Sequence, residues 1–125
     1  MSILRDPNDL PEKIRVHVSS DIAGSFVAAF KTSYKPNATI PILWIVIHKN
    51  GLLFCSSHRT RGVYKRINRS EVDSIKLTKG QHFGLYSLAV VFRALDEADL
   101  VVSLPSEIDF SEIRGILTNL HYQIL

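Results

Sequence analysis

The chain has 125 residues, 46% hydrophobic and 22% charged, with a net charge of +3. That length fits one domain with material for a real core, and the mild positive charge favours anionic partners without implying nucleic acid. A single cysteine excludes an intramolecular disulfide and a Cys-rich metal site, no run approaches the roughly 18 apolar residues of a membrane span, and the N-terminus lacks the apolar core of a signal peptide, so a cytoplasmic setting is expected.

Residues 1–12, with Pro7, Asn8, Asp9 and Pro11, read as an irregular lead-in, and residues 13–125 as one domain. Over 13–19 the chain alternates, with Ile14, Val16 and Val18 on one side and Lys13, Arg15 and His17 on the other. Period two predicts a half-buried strand. Ser19, Ser20 and Asp21 are good helix N-caps, and Ile22, Phe26, Val27, Phe30 and Tyr34 recur at helical spacing. A short helix over about 22–34 is expected, although Gly24 and the run from Ser25 to Phe30 also allow a strand. Pro36 and Asn37 end that element.

The centre of the sequence is an apolar run, Ile42-Leu43-Trp44-Ile45-Val46-Ile47, broken by Lys49-Asn50-Gly51 and resumed by Leu52-Leu53-Phe54-Cys55. Asn-Gly between two such runs predicts a β-hairpin, because the tight turn needs backbone angles that Asn and Gly tolerate. Cys55 within it is either a buried small hydrophobe or a reactive thiol. Further strands are expected over 63–67, 72–77, 85–94 and 100–104, the last two joined by an acidic loop with Asp96, Glu97 and Asp99. From Ser106 and Asp109 a capped amphipathic helix follows, its apolar stripe formed by Phe110, Ile113, Leu117, Leu120 and Ile124 over about four turns. Gly115 weakens it, which means either close packing at that point or an unoptimised exposed site.

A strand, a helix, about six strands and a closing helix, carried by Ile42-Leu43-Trp44-Ile45-Val46 with Asn50-Gly51-Leu52, by Ile67 with Val72-Asp73-Ser74-Ile75 and by the helix from Phe110, resemble the pleckstrin-homology (PH) superfold. The helix after the first strand looks like its phosphotyrosine-binding (PTB) branch, also seen in the third lobe of FERM domains. The resemblance covers about 13–125. It implies a mainly β (α+β) fold, a bent antiparallel seven-stranded sheet or barrel capped by the C-terminal helix. A longin- or profilin-like α/β domain is the competing fold and would place a long helix after Cys55.

No Gly-rich phosphate loop, HExxH or EF-hand spacing occurs, and the five histidines are scattered, so neither enzymatic activity nor a cofactor or metal is expected. The resemblance implies an adaptor or scaffold module that binds a partner peptide along a sheet edge beside the last helix. The edge would be the strand at 72–77, with Val72, Ser74, Lys76 and Thr78 as contacts and Arg114 on the helix wall. The second reading is phosphoinositide or anionic-membrane-surface binding through the basic stretch 58–69, using Arg59, Arg61 and Lys65 together with Lys31 and Lys35. A solvated basic loop accounts for the same residues. The strand at 43–47 is almost wholly apolar and lacks the basic pair of the usual lipid pattern, so peptide binding ranks first. Tyr64 alone interleaves the cations, which gives nucleic-acid stacking little support. The chain is read as part of a larger multidomain protein.

Overall fold

The computed structural model describes residues 3–33, 42–56, 62–79 and 86–125. Among them the chain forms seven strands: β1 (Phe26–Lys31), β2 (Leu43–His48), β3 (Gly51–Ser56), β4 (Val63–Asn68), β5 (Val72–Lys79), β6 (Tyr86–Phe92) and β7 (Leu100–Leu104). All pairings are antiparallel and between sequence neighbours, in a four-stranded sheet β1-β2-β3-β4 and a three-stranded sheet β5-β6-β7. The two sheets meet where Ser33 donates its N–H to the carbonyl of Ser103 at 2.8 Å. On the other side, β4 passes to β5 through the 3₁₀ turn Arg69–Glu71, with no ladder between them among the described residues, so the sheets do not close into a barrel.

The predicted hairpin is present, with Lys49 and Asn50 as its loop and His48 opposite Gly51. Gly51 has φ +155°, and a Cβ there would run into the carbonyl of Ile67 on β4 with the N–H of Arg69 3.2 Å away. Glycine is therefore required both by the turn and by the neighbouring strand. β4, not a long helix, is the next described element after β3.

The continuous apolar runs of β2 and β3 arise because that sheet is buried on both faces. Leu43, Ile45, Ile47, Leu52 and Phe54 point into the main core against the second sheet. Val46, Leu53 and Cys55, with Ala29 of β1, point the other way into a second core. That second core is closed by the N-terminal segment, through Leu10, Ile14 and Ile22.

The N-terminal expectations are overturned here. Residues 13–19 are not a strand: α1 (Glu12–Arg15) is a helical turn that starts after Pro11. Ile14 is fully buried, whereas Val16, which a strand would place on the same face, is 69% exposed. The spacing that matters is four, in Leu10, Ile14, Val18 and Ile22, all of which contribute to the second core. Residues 22–34 are not one helix either. α2 (Ser20–Gly24) is capped by Ser19, whose hydroxyl accepts the Ile22 N–H at 3.4 Å, and β1 begins two residues after it ends. The helix expected after the first strand thus precedes it. Leu4, within the expected lead-in, exchanges both backbone hydrogen bonds with Ala29, at 2.8 and 2.9 Å, and so covers the outer edge of β1.

The closing helix α3 (Phe110–Asn119) starts as the sequence predicts, with Asp109 accepting the Glu112 N–H at 3.0 Å. It buries Phe110, Ile113, Ile116 and Leu117 in the main core. A Cβ on Gly115 would meet nothing within 4 Å, so of its two readings the open site is the one observed. No helix among the described residues is long and apolar enough to cross a membrane.

Candidate functional site

α3 ends five residues earlier than its apolar stripe. His121 adopts φ +66°, its N–H reaches the carbonyl of Thr118 at 2.9 Å, and the N–H of Tyr122 reaches that of Leu117 at 3.1 Å. This pair of bonds is a Schellman motif, and the buried Tyr122 and Leu117 supply its usual apolar contact. The motif turns the chain back along the free side of β5. There the N–H of Ile75 donates to the carbonyl of Gln123 at 2.8 Å, and the N–H of Leu125 donates to the carbonyl of Ile75 at 2.9 Å, in parallel orientation. The sheet edge beside the helix therefore already carries a short strand, the chain's own residues 123–125.

Since Ile75 turns both its main-chain groups away from β6, so do Leu77 and Lys79, while those of Ser74 and Lys76 face β6. A bulge at Asp73 splits the residues grouped from the sequence. Val72 opposes Phe92 and is buried in the main core, whereas Ser74, Lys76 and Thr78 lie on the opposite face of β5. Lys76 and Thr78 are exposed there; Ser74 is only 1% exposed, and its hydroxyl has no hydrogen-bond partner among the described residues. Arg114 is exposed on α3, and among the described residues no hydrogen bond or ion pair joins it to β5. Val72 is thus not an accessible contact.

The basic stretch is divided. Lys35, Arg59 and Arg61 lie outside the described residues. Lys31 is half-buried at the end of β1, opposite Trp44. Lys65 is occupied within the fold: its Nζ is 2.6 Å from Glu97 Oε1 and 4.6 Å from the centre of the Phe92 ring. The acidic loop of Glu97 is therefore a partner of the basic strand. Arg69 lies over the Tyr122 ring, its Cζ 4.3 Å from the ring centre.

Next to the 123–125 strand is a cleft of about 560 Å³, formed where the 3₁₀ turn, the exit from β6 and the turn after α3 converge. Arg69, Arg93, Asp73, His121 and Tyr122 line it. Burial raises the Tyr122 phenol pKa above its ordinary value, and the Arg69 charge opposes that rise. Elsewhere, His48 is pushed down by burial and then by Arg66, in keeping with its Nδ1 accepting the Asn50 N–H at 3.3 Å. Burial raises the Cys55 thiol to about 11 against a smaller opposing effect of Arg66, which leaves it a buried apolar group rather than a nucleophile. Among the described residues no three His, Cys, Asp or Glu side chains cluster so as to hold a metal ion.

Sequence reasoning missed Gln123 as a strand partner and Arg93 and Tyr122 as cleft residues. No glycine marks the end of α3, and the spacing from Leu120 to Ile124 continues the helical stripe, so no local signal revealed the turn. Compared with protein-family models the chain matches none, and no curated protein matches it.

Proposed function

We propose that this chain is a non-enzymatic adaptor or scaffold module of PH-like architecture, which binds an extended segment of a partner protein by strand addition at the β5 edge beside α3. The order of four strands, three strands and a closing helix supports the PH-like reading. The PTB-like variant draws less support, because the helix that suggested it precedes β1. The observation that carries the functional reading is the pair of hydrogen bonds between Ile75 and residues 123–125, since an edge that accepts one short strand has the geometry to accept another. Main-chain hydrogen bonds would give affinity, and the exposed Lys76 and Thr78 would read the partner's side chains.

The phosphoinositide and membrane-surface reading draws less support, because Lys65 already has Glu97 and Phe92 as partners. The test is a fluorescently labelled peptide copying residues 119–125, titrated into the intact chain and into Leu125→Pro. The substitution removes the N–H that Ile75 receives, at a residue that is 55% exposed. Stronger binding to Leu125→Pro, with shifts of the Ile75 and Leu77 amides in two-dimensional NMR spectra, is expected. Equal absence of binding to both proteins would remove the proposal.

A further inference from the structure

We infer that the outer edge of β4 binds an extended acidic segment of a partner protein, by main-chain pairing to Tyr64, Arg66 and Asn68 and by attraction between Arg66 and the segment's carboxylates. Four strands lie at the margins of the two sheets, and three of them carry cover. Leu4 lies on β1, residues 123–125 lie on β5, and Ser33 bonds to Ser103 on β7. β4 carries no such cover among the described residues. An uncovered edge presents its donors and acceptors as a template for another strand.

The strand register determines which groups are on offer. The N–H of Arg69 donates to the carbonyl of Asn50 at 2.9 Å, and Ile67 and Lys65 continue that alternation opposite Leu52 and Phe54. Their main-chain groups therefore face β3, and those of Arg66 and Asn68 face away from it. The carbonyl of Tyr64 also faces away, because the adjoining N–H of Lys65 faces β3. The outward N–H of Asn68 already donates to a carboxylate oxygen, Glu71 Oε1, at 3.0 Å. The N–H and carbonyl of Arg66 and the carbonyls of Tyr64 and Asn68 make no such bond among the described residues. An added strand of about five residues would reach all of them.

The charge of the edge selects its occupant. Lys65 is already paired with Glu97 and lies over the Phe92 ring. Arg66 is exposed and has no ion pair among the described residues; Asp21 lines the same cleft but does not pair with it. Tyr64, 39% exposed, offers an aromatic surface two residues away. A segment that alternates acidic and apolar side chains would set a carboxylate near Arg66, and opposite charges across a strand pair attract. A second copy of β4 would instead bring its own Lys65, Arg66 and Arg69 to the edge, and that repulsion disfavours self-pairing. β4 and Ile75 belong to different sheets, so this site does not depend on strand addition at β5.

The experiment titrates a short acetylated peptide of alternating Glu and Val into the full chain at constant ionic strength and follows amide resonances in two-dimensional NMR spectra. The controls are the same peptide with Lys for every Glu, and the Glu peptide with alternate amides N-methylated so that it cannot pair. Saturable shifts of Tyr64, Arg66 and Asn68 are expected with the Glu peptide alone. Arg66→Glu, at an exposed residue, should weaken that binding by about tenfold or more and transfer the preference to the Lys peptide, with Arg66→Gln intermediate. Absence of saturable binding, or equal binding of either control peptide, would overturn the inference. Shifts confined to Ile75 and Leu77 would overturn it too, while leaving strand addition at β5 standing. Shifts of Tyr64 and Arg66 that grow with protein concentration and no peptide would assign the edge to a second copy and overturn it as well.

Discussion

Ile14→Ala tests whether residues before β1 belong to the domain. Ile14 is fully buried, packed with Leu10 and Ile22 on the outer face of the first sheet. Truncation removes three carbon atoms from water-free surroundings, about 0.8 kcal/mol each, and leaves a cavity, so the loss should be about 2–5 kcal/mol. That is a large share of the roughly 5–15 kcal/mol stability of a domain. The melting temperature should fall by about 8–20 °C at the sensitivity expected for this size. Val16→Ala is the paired control: at 69% exposure it should change stability by about 0.5 kcal/mol or less. Urea unfolding can be followed through the single tryptophan, Trp44, which packs against the second core, and in parallel by far-ultraviolet circular dichroism. Coincident transitions would show that the second core melts with the domain. The packing argument fails if Ile14→Ala loses less than about 1 kcal/mol, or if Val16→Ala loses as much, as a half-buried strand over 13–19 would require.

Gly51→Ala should destabilise by about 2–4 kcal/mol in the same urea assay, since it combines an unfavourable φ with a collision against the Ile67 carbonyl. Gly115→Ala should instead stabilise by about 1 kcal/mol, because its Cβ enters open space on a helix, and an unchanged midpoint would contradict that. His121→Gly should add about 1 kcal/mol in thermal unfolding by relieving a left-handed backbone at a side-chain-bearing residue. Cys55 has a folded pKa of about 11 against an ordinary 9.0, so its contribution is complete below pH 9 and is lost as pH rises through 11. The difference in stability between the wild type and Cys55→Ala should narrow by about 2–3 kcal/mol over that interval, and a thiol reagent at pH 8 should label only unfolded chains.

The strands from β2 to β7 were legible because each carries a local instruction. Lys49-Asn50-Gly51 sets the hairpin register, and the alternation of Leu100, Val102 and Leu104 sets the face of β7. Of the two cap candidates, Ser106 and Asp109, it is Asp109 that caps α3. What failed was the segment before β1. Its helices are four and five residues long, too short to show a helical period, and Ile14-Arg15-Val16-His17-Val18 imitates a strand. The true organiser, one apolar residue in four from Leu10 to Ile22, depends on a sheet face contributed by residues far along the chain. The same non-local cause left β1 as only the second reading, a strand over the run from Ser25 to Phe30, because its buried faces erase alternation. At the candidate site, the β5 edge was legible but its occupant was not, because Ile124 satisfies a helical stripe and a parallel strand equally well.

On the proposed reading, the outer edges of β1 and β5 differ in how firmly they are covered. The outer edge of β1 is held by Leu4, and Leu4 is followed by a segment anchored at Leu10, Ile14 and Ile22, so releasing that cover means dismantling the second core. Among the described residues the outer edge of β5 is held by two hydrogen bonds, both to Ile75, from residues 123–125, of which Leu125 is exposed. At about 0.5–1.5 kcal/mol net for each bond, that cover contributes on the order of 1–3 kcal/mol, to which Ile124 adds partial burial. An incoming segment of five or six residues could bond to Ile75, Leu77 and Lys79 and offset that loss with additional bonds. Residues 123–125 would then act as a competitor that sets a threshold length for binding: segments too short to reach Leu77 should not displace them, and longer ones should. Peptides of increasing length, compared on the intact chain and on Leu125→Pro, would show a step in affinity on the intact chain alone, and a smooth increase on both would mean that residues 123–125 offer no competition.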